Sequence, residues 1–219
     1  MFSRLSALLF PPKCKFCRKL LTQTETDICH NCRKDAPEFI CAKSKIHLVA
    51  QWTVVWYYKD KVRGSIHRFK FGNARGYADF YGKCLALKLQ SDDFPDNFDI
   101  LSWVPVSAFR RLRRGYDQSE LLANALGKEL NLSPVRILKK VRHTPPQSGI
   151  LQPAYRRANV LNAYCAKNAK LFAGKRVLLV DDVVTTGATV SECAKTLLLY
   201  GAKEVYFAAV AAAFHDEDK

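Results

Sequence analysis

Apolar positions fall into short runs separated by amphipathic stretches, a pattern that predicts buried strands of a parallel sheet alternating with helices. Trp52 to Tyr58 is β-branched and aromatic and predicts a strand. Between Lys61 and Phe71, Val62, Ile66, Phe69 and Phe71 alternate with Arg63, His67, Arg68 and Lys70, which predicts an amphipathic helix. Gly72 and Gly76 punctuate it, and a second helix over 77–89 ends before the acidic, Pro-containing linker 91–97. Residues 99–106 predict a buried strand with Pro105 at its end, and Asp117 with Glu120 forms a capping-box pattern that starts a helix to Leu130. Short strands are expected at 135–138, 162–166 and 176–180, and a last, mostly apolar one at 203–213.

The most informative stretch is 177–189. Val177 to Val180 is a four-residue apolar run, ended by Asp181 and Asp182. Thr185-Thr186-Gly187-Ala188-Thr189 then opens onto Val190, Cys193, Ala194, Leu197 and Leu198, which share one helix face. Carboxylates are therefore expected where a strand stops, and a small-residue loop where a helix starts. Backbone N–H groups at a helix N-terminus attract phosphate, threonine hydroxyls add donors, and Gly187 allows close approach. The aspartates can accept hydrogen bonds from vicinal sugar hydroxyls or help hold a divalent cation. An isolated Asp-Asp pair more often marks a solvated acidic turn; the full string is far more specific. It resembles the phosphoribosyl-pyrophosphate (PRPP) motif of the type I phosphoribosyltransferases.

Charge and cysteine content enlarge this picture. The 219 residues carry 35 Lys and Arg against 20 Asp and Glu, a net +15. That excess favours polyanionic partners, nucleic acid or phosphorylated metabolites among them, or serves solubility alone. No apolar run approaches a membrane span, and the opening Phe2 to Phe10 is too short and poorly flanked for a secretion signal, so a cytoplasmic location is expected. Phe2, Leu5, Leu8 and Leu9 instead suit two turns of amphipathic helix ended by Pro11-Pro12.

Cys14-x2-Cys17 and Cys29-x2-Cys32 can bring four thiolates around one Zn2+, the alternative being disulfides, which are rare in the cytosol. Four thiolates leave no open coordination position, so such an ion is structural. The predicted units are a zinc-binding module over 1–48 and an α/β domain over 50–215. Lys13, Lys15, Arg18, Lys19, Arg33 and Lys34 give the module a basic surface that is either solvated or in contact with nucleic acid. Bases and aromatics interleaved from Trp52 to Tyr81 suit core packing beneath a basic outer face, or stacking on single-stranded nucleic acid.

Arg110, Arg111, Arg113 and Arg114 are placed on a loop between a strand end and a helix, on the same sheet edge as Asp181, where guanidinium groups match pyrophosphate. Lys139 to Asn159 is long, basic and aperiodic, and reads as a lid or as a disordered tract; its polar candidates are Arg142, Thr144, Gln147 and Arg156.

In their order, the four-cysteine knuckle, Arg113-Arg-Gly-Tyr-Asp-Gln-Ser-Glu120, the 142–147 segment with Arg156, and the 177–189 motif resemble the ComF family, phosphoribosyltransferase-like proteins linked to natural competence for DNA uptake. Tyr116-Asp117 stand where Phe-Asn is more usual. The resemblance implies a type I phosphoribosyltransferase fold, a parallel sheet flanked by helices, with Mg2+ and PRPP as ligands. It further implies single-stranded DNA and other competence proteins, such as a helicase, as partners. For an enzyme it implies that Asp181 and Asp182 hold the ribose hydroxyls, Thr185 to Thr189 the 5-phosphate, and the arginines the departing pyrophosphate. No acceptor pocket can be read; Tyr206 and Phe207 are the nearest guess. A non-catalytic DNA-binding protein that uses the PRPP site for sensing, or as a scaffold only, is the competing reading.

Overall fold

The structure is a computed structural model that describes residues 11–39, 45–142 and 160–213. A four-stranded, all-parallel sheet in the order β1 (Trp52–Tyr57), β6 (Glu204–Ala212), β5 (Arg176–Val184), β2 (Ile100–Trp103) forms the middle layer. One of its faces is covered by α2 (Asp60–Phe71), α3 (Tyr77–Ser91) and α5 (Gln118–Leu130); the other by α6 (Ala188–Leu199) and an antiparallel pair, β3 (Leu138–Lys140) with β4 (Tyr164–Ala166).

Alternation along the strands divides the core in two, as expected of a sheet buried on both faces. Leu178 and Val180 enter one cluster with Phe69, Tyr81, Leu85 and Leu122; Val177 and Leu179 enter the other with Cys193, Leu197 and Phe207. On the first side α3 and α5 touch at backbone distance, since a Cβ on Gly82 would lie 2.8 Å from the carbonyl carbon and Cβ of Ala125.

Three local expectations shift. The strand of the acidic motif does not end at the carboxylates: β5 continues to Val184, because β6 pairs with it as far as Ala212, while pairing to β2 stops at Val180. The four arginines lie on a short helix, α4 (Ala108–Arg114), and not on a loop; the Ser107 side chain accepts from the Arg110 N–H, and Gly115, at φ 78°, ends it. The expected strand at 135–138 is displaced to Leu138–Lys140. At Asp117 the expected cap is present, with its carboxylate accepting from Ser119 and Glu120 N–H groups, while Glu120 turns to Arg111 at 3.4 Å.

The cysteine segment packs onto the first core. Phe16, between Cys14 and Cys17, sits 5.2 Å edge-on to Trp56 and 5.8 Å from Phe80. A short helix, α1 (His30–Lys34), carries Cys32. Residues 37–39 then lie antiparallel along β1, through a Glu38–Trp56 bridge and bonds from Phe39 N–H to the Val55 carbonyl and from Tyr57 N–H to the Pro37 carbonyl. The aromatics of the Trp52–Tyr81 stretch are largely internal: Trp56, Phe69, Tyr77, Phe80 and Tyr81 are buried, so core packing accounts for them.

Candidate functional site

The C-terminal ends of the parallel strands are where an open α/β sheet offers a crevice, and the acidic pair lies there. Asp181 accepts a 2.7 Å hydrogen bond from the Ser119 hydroxyl and one of 2.8 Å from the Asp182 N–H. Asp182 is buried; its Oδ1 lies 2.8 Å from Lys70 Nζ, and its Oδ2 is buried with no hydrogen-bond partner among the described residues. Burial, and then the Asp182 charge, push the Asp181 carboxyl up from 3.8 to about 7, against the pull of Ser119 and Lys70. Asp181 therefore holds its negative charge reluctantly, and hydroxyl donors or a cation would relieve it.

Beyond Val184, Thr185 to Gly187 form the turn into α6. Gly187 is its N-cap at φ 72°, a conformation that favours glycine, and has no side chain with which to cap the helix. Thr186 is exposed, Thr185 and Thr189 half-buried, and Gly187 and Ala188 buried. The turn thus presents an N-terminal dipole end two residues from the strand that carries both carboxylates.

The arginines divide by partner. Arg110 is half-buried, and burial and the Arg114 charge lower its pKa, while Tyr164, Asp181 and Asp182 pull the other way. Arg111 faces Glu120, Arg114 donates to the Gln118 side chain at 2.6 Å and stacks 4.7 Å over Phe71, and Arg113 is exposed. Arg110 is thus the arginine whose charge is felt at the acidic pair. Of the lid candidates, Arg142 is exposed and donates to the Leu161 carbonyl; Thr144, Gln147 and Arg156 lie outside the described residues.

Several residues on the site escaped the sequence reading. Lys70 sat on a helix read only for its amphipathicity, and Ser119 inside a cap pattern. Lys140 and Tyr164, on the β3–β4 pair, lie within electrostatic reach of Asp181 and Arg110; burial and Arg110 bring Lys140 down to about 8, and burial pushes Tyr164 up. With 35 lysines and arginines among 219 residues, one more cation on a helix face does not stand out. Tyr206, guessed as an acceptor contact, instead packs on Phe94 and Phe98, and Phe207 is fully buried.

At the other end of the first core, the sulfurs of Cys14, Cys17, Cys29 and Cys32 lie within 4.8 Å of one another. The Cys17–Cys29 separation is 3.7 Å, close to the roughly 3.8 Å edge of a tetrahedron with 2.3 Å zinc–sulfur bonds. The Cys29 N–H points at Cys14 Sγ at 3.3 Å. Burial opposes ionisation of Cys14, yet the N–H groups of Cys29, Cys17 and Phe16 outweigh it and bring the thiol down to about 6. The four residues could hold a zinc ion; Cys41 lies outside the described residues. No helix among the described residues is long and apolar enough to cross a membrane.

Comparison with known proteins agrees with this architecture. Residues 112–219 match the phosphoribosyl transferase domain. Competence protein F of Haemophilus influenzae is 31% identical over 215 residues, covering 88% of this chain and 93% of that protein. Competence protein ComFC of Bacillus subtilis is 27% identical over 201 residues, 86% of this chain and 78% of its own length. DNA utilization protein YhgH of Escherichia coli K12 is 33% identical over 147 residues, 64% of this chain and 62% of that relative. With a four-cysteine cluster ahead of a phosphoribosyl transferase domain, and a competence protein F matched over nearly its whole length, the chain belongs to the ComF family.

Proposed function

We propose that this protein binds PRPP at the C-terminal edge of its sheet and serves the handling of DNA taken up by the cell. The observation that carries the reading is the pairing of two carboxylates on β5 with the glycine-started N-terminus of α6 that follows them. In this reading Asp181 and Asp182 accept hydrogen bonds from the ribose hydroxyls, and residues 185–189 receive the 5-phosphate. Arg110 leads the cationic side toward the pyrophosphate, which Mg2+ would accompany and help to neutralise; Arg111, Arg113, Arg114 and Arg142 extend the positive field around it. Electrostatic stabilisation of departing pyrophosphate would then be the main lever of any transfer. The DNA part of the proposal is supported by the names of the relatives, competence and DNA utilization proteins, and by the net +15 charge.

Calorimetric titration of Mg2+-PRPP into the wild-type chain and Asp182→Ala tests the site: binding is expected in the first and loss in the second. Equal affinity in both would remove the assignment. A screen of candidate bases for pyrophosphate release then separates a transferase from a sensor. The second reading, direct contact with single-stranded DNA through the basic surface, requires affinity that falls steeply between low and moderate salt as counterions are released; a flat salt response rules it out.

A further inference from the structure

The last turn of α2 touches both ends of the molecule at once. Arg68 Nη2 donates to the carbonyls of Lys15 (2.8 Å) and Phe16 (2.7 Å), the two residues that follow Cys14 in the knuckle. The Phe69 carbonyl accepts from the Tyr116 hydroxyl, Lys70 pairs with Asp182 at 2.8 Å, and Phe71 lies under Arg114 at 4.7 Å. Four consecutive residues thus reach, in order, the cysteine knuckle, the chain that follows the arginine helix, the acidic pair, and the arginine helix itself.

The chemistry of the third contact is specific. The Asp182 side chain is 4% exposed and that of Lys70 19%, so the ammonium is the cation that compensates a carboxylate removed from water. It occupies Oδ1 and leaves Oδ2 with no partner among the described residues, an acceptor open to a ligand. An ammonium on a free lysine stem would hold the carboxylate poorly. Here the turn is pinned upstream by the paired bonds of Arg68, whose Nε also reaches the Tyr77 hydroxyl at 3.4 Å.

We propose that Lys70 is a positioning residue of the phosphoribose site, holding the Asp182 carboxylate in place for the ligand, and that Arg68 makes the cysteine knuckle the anchor of that residue. The α2 turn is then a strut: a disturbance at the Cys14–Cys17 loop reaches Asp182 through two residues, without any contact between knuckle and ligand. This rests on the reading of Asp181 and Asp182 as a PRPP site.

The test uses the full chain with its metal content checked. PRPP affinity is expected to fall about tenfold or more in Lys70→Met, as for a buried charge left without its partner, and to return to within a few-fold of wild type in Lys70→Arg. Thermal midpoints measured alongside separate the two roles: a merely structural lysine would lower the midpoint in Lys70→Met and leave the PRPP affinity of the folded protein unchanged. Arg68→Met, whose side-chain bonds go to Lys15, Phe16 and Tyr77 and not to the acidic pair, is expected to weaken PRPP several-fold and to speed amide hydrogen exchange over 181–189, while exchange in β2 stays unchanged. PRPP binding equal to wild type in Lys70→Met, or exchange over 181–189 equal to wild type in Arg68→Met, overturns the strut. If the wild-type chain binds no PRPP, the functional reading falls instead, and the exchange comparison still decides the strut.

Discussion

Replacing Asp181 by Asn should stabilise the unliganded protein, and by an amount that grows with pH. The carboxyl is held up from 3.8 to about 7 by burial and by the Asp182 charge. A folded-state value above the unfolded one means that the folded state holds its proton longer, so Asp181 reduces stability as pH rises through this window. The cost is absent below about pH 4 and complete above about pH 7. Moving a carboxyl from 3.8 to about 7 corresponds to a ceiling of about 4 kcal/mol at 1.36 kcal/mol per pH unit. Asparagine keeps the shape, and its carbonyl can still accept from Ser119. Lys140, which burial brings down to about 8 and which Asp181 pulls back up, is present in both proteins but coupled to the charge that is removed, so the difference reports Asp181 together with the groups coupled to it. Urea unfolding at pH 5 and pH 8 should therefore show the advantage of Asp181→Asn growing by roughly 2–3 kcal/mol between them. An advantage independent of pH, or a less stable variant at pH 8, would refute the charge-burial argument. PRPP affinity should fall in the same variant, the exchange of function for stability expected where a site keeps an unfavourable charge.

Two further outcomes follow from packing. Cys29→Ser should leave less than about one zinc per chain by elemental analysis and lower the thermal midpoint; because Phe16 of the knuckle lies in the same core as Trp56 and Phe80, the wild-type protein should melt in one transition, and a separate knuckle transition would contradict the shared core. Gly82→Ala should cost about 1–3 kcal/mol in chemical denaturation, since the new methyl would meet Ala125 backbone at 2.8 Å; an unchanged midpoint would mean that α3 and α5 separate freely.

What could be read in advance, and what could not, has a physical basis. The string from Val177 to Thr189 was legible because the phosphate loop, the carboxylates and the strand are contiguous, so spacing alone brings them together. Its strand boundary was not, because pairing with the distant β6 carries β5 through two charged residues that local propensity would stop at. The cysteine cluster was legible because metal-type spacing is itself a geometric statement. The arginine helix was misplaced because it is one seven-residue element that buries nothing: Phe109 and Leu112, three apart, are both exposed, so no core-facing stripe reveals its period. Lys70 was invisible for another reason: what distinguishes it from the other lysines is a partner more than one hundred positions away.

The strip formed by residues 37–39 has a practical side. It occupies one margin of the sheet, where β1 would otherwise offer bare amides and carbonyls to any extended peptide. Deleting the N-terminal forty or so residues to obtain a minimal sheet domain would therefore uncover a sticky border as well as the aromatic surface of Trp56 and Phe80, and the shortened protein should self-associate. The knuckle cannot be treated as a detachable cassette: recombination that exchanged it between relatives would have to carry its border strip and its seat on α2 and α3 along with the cysteines.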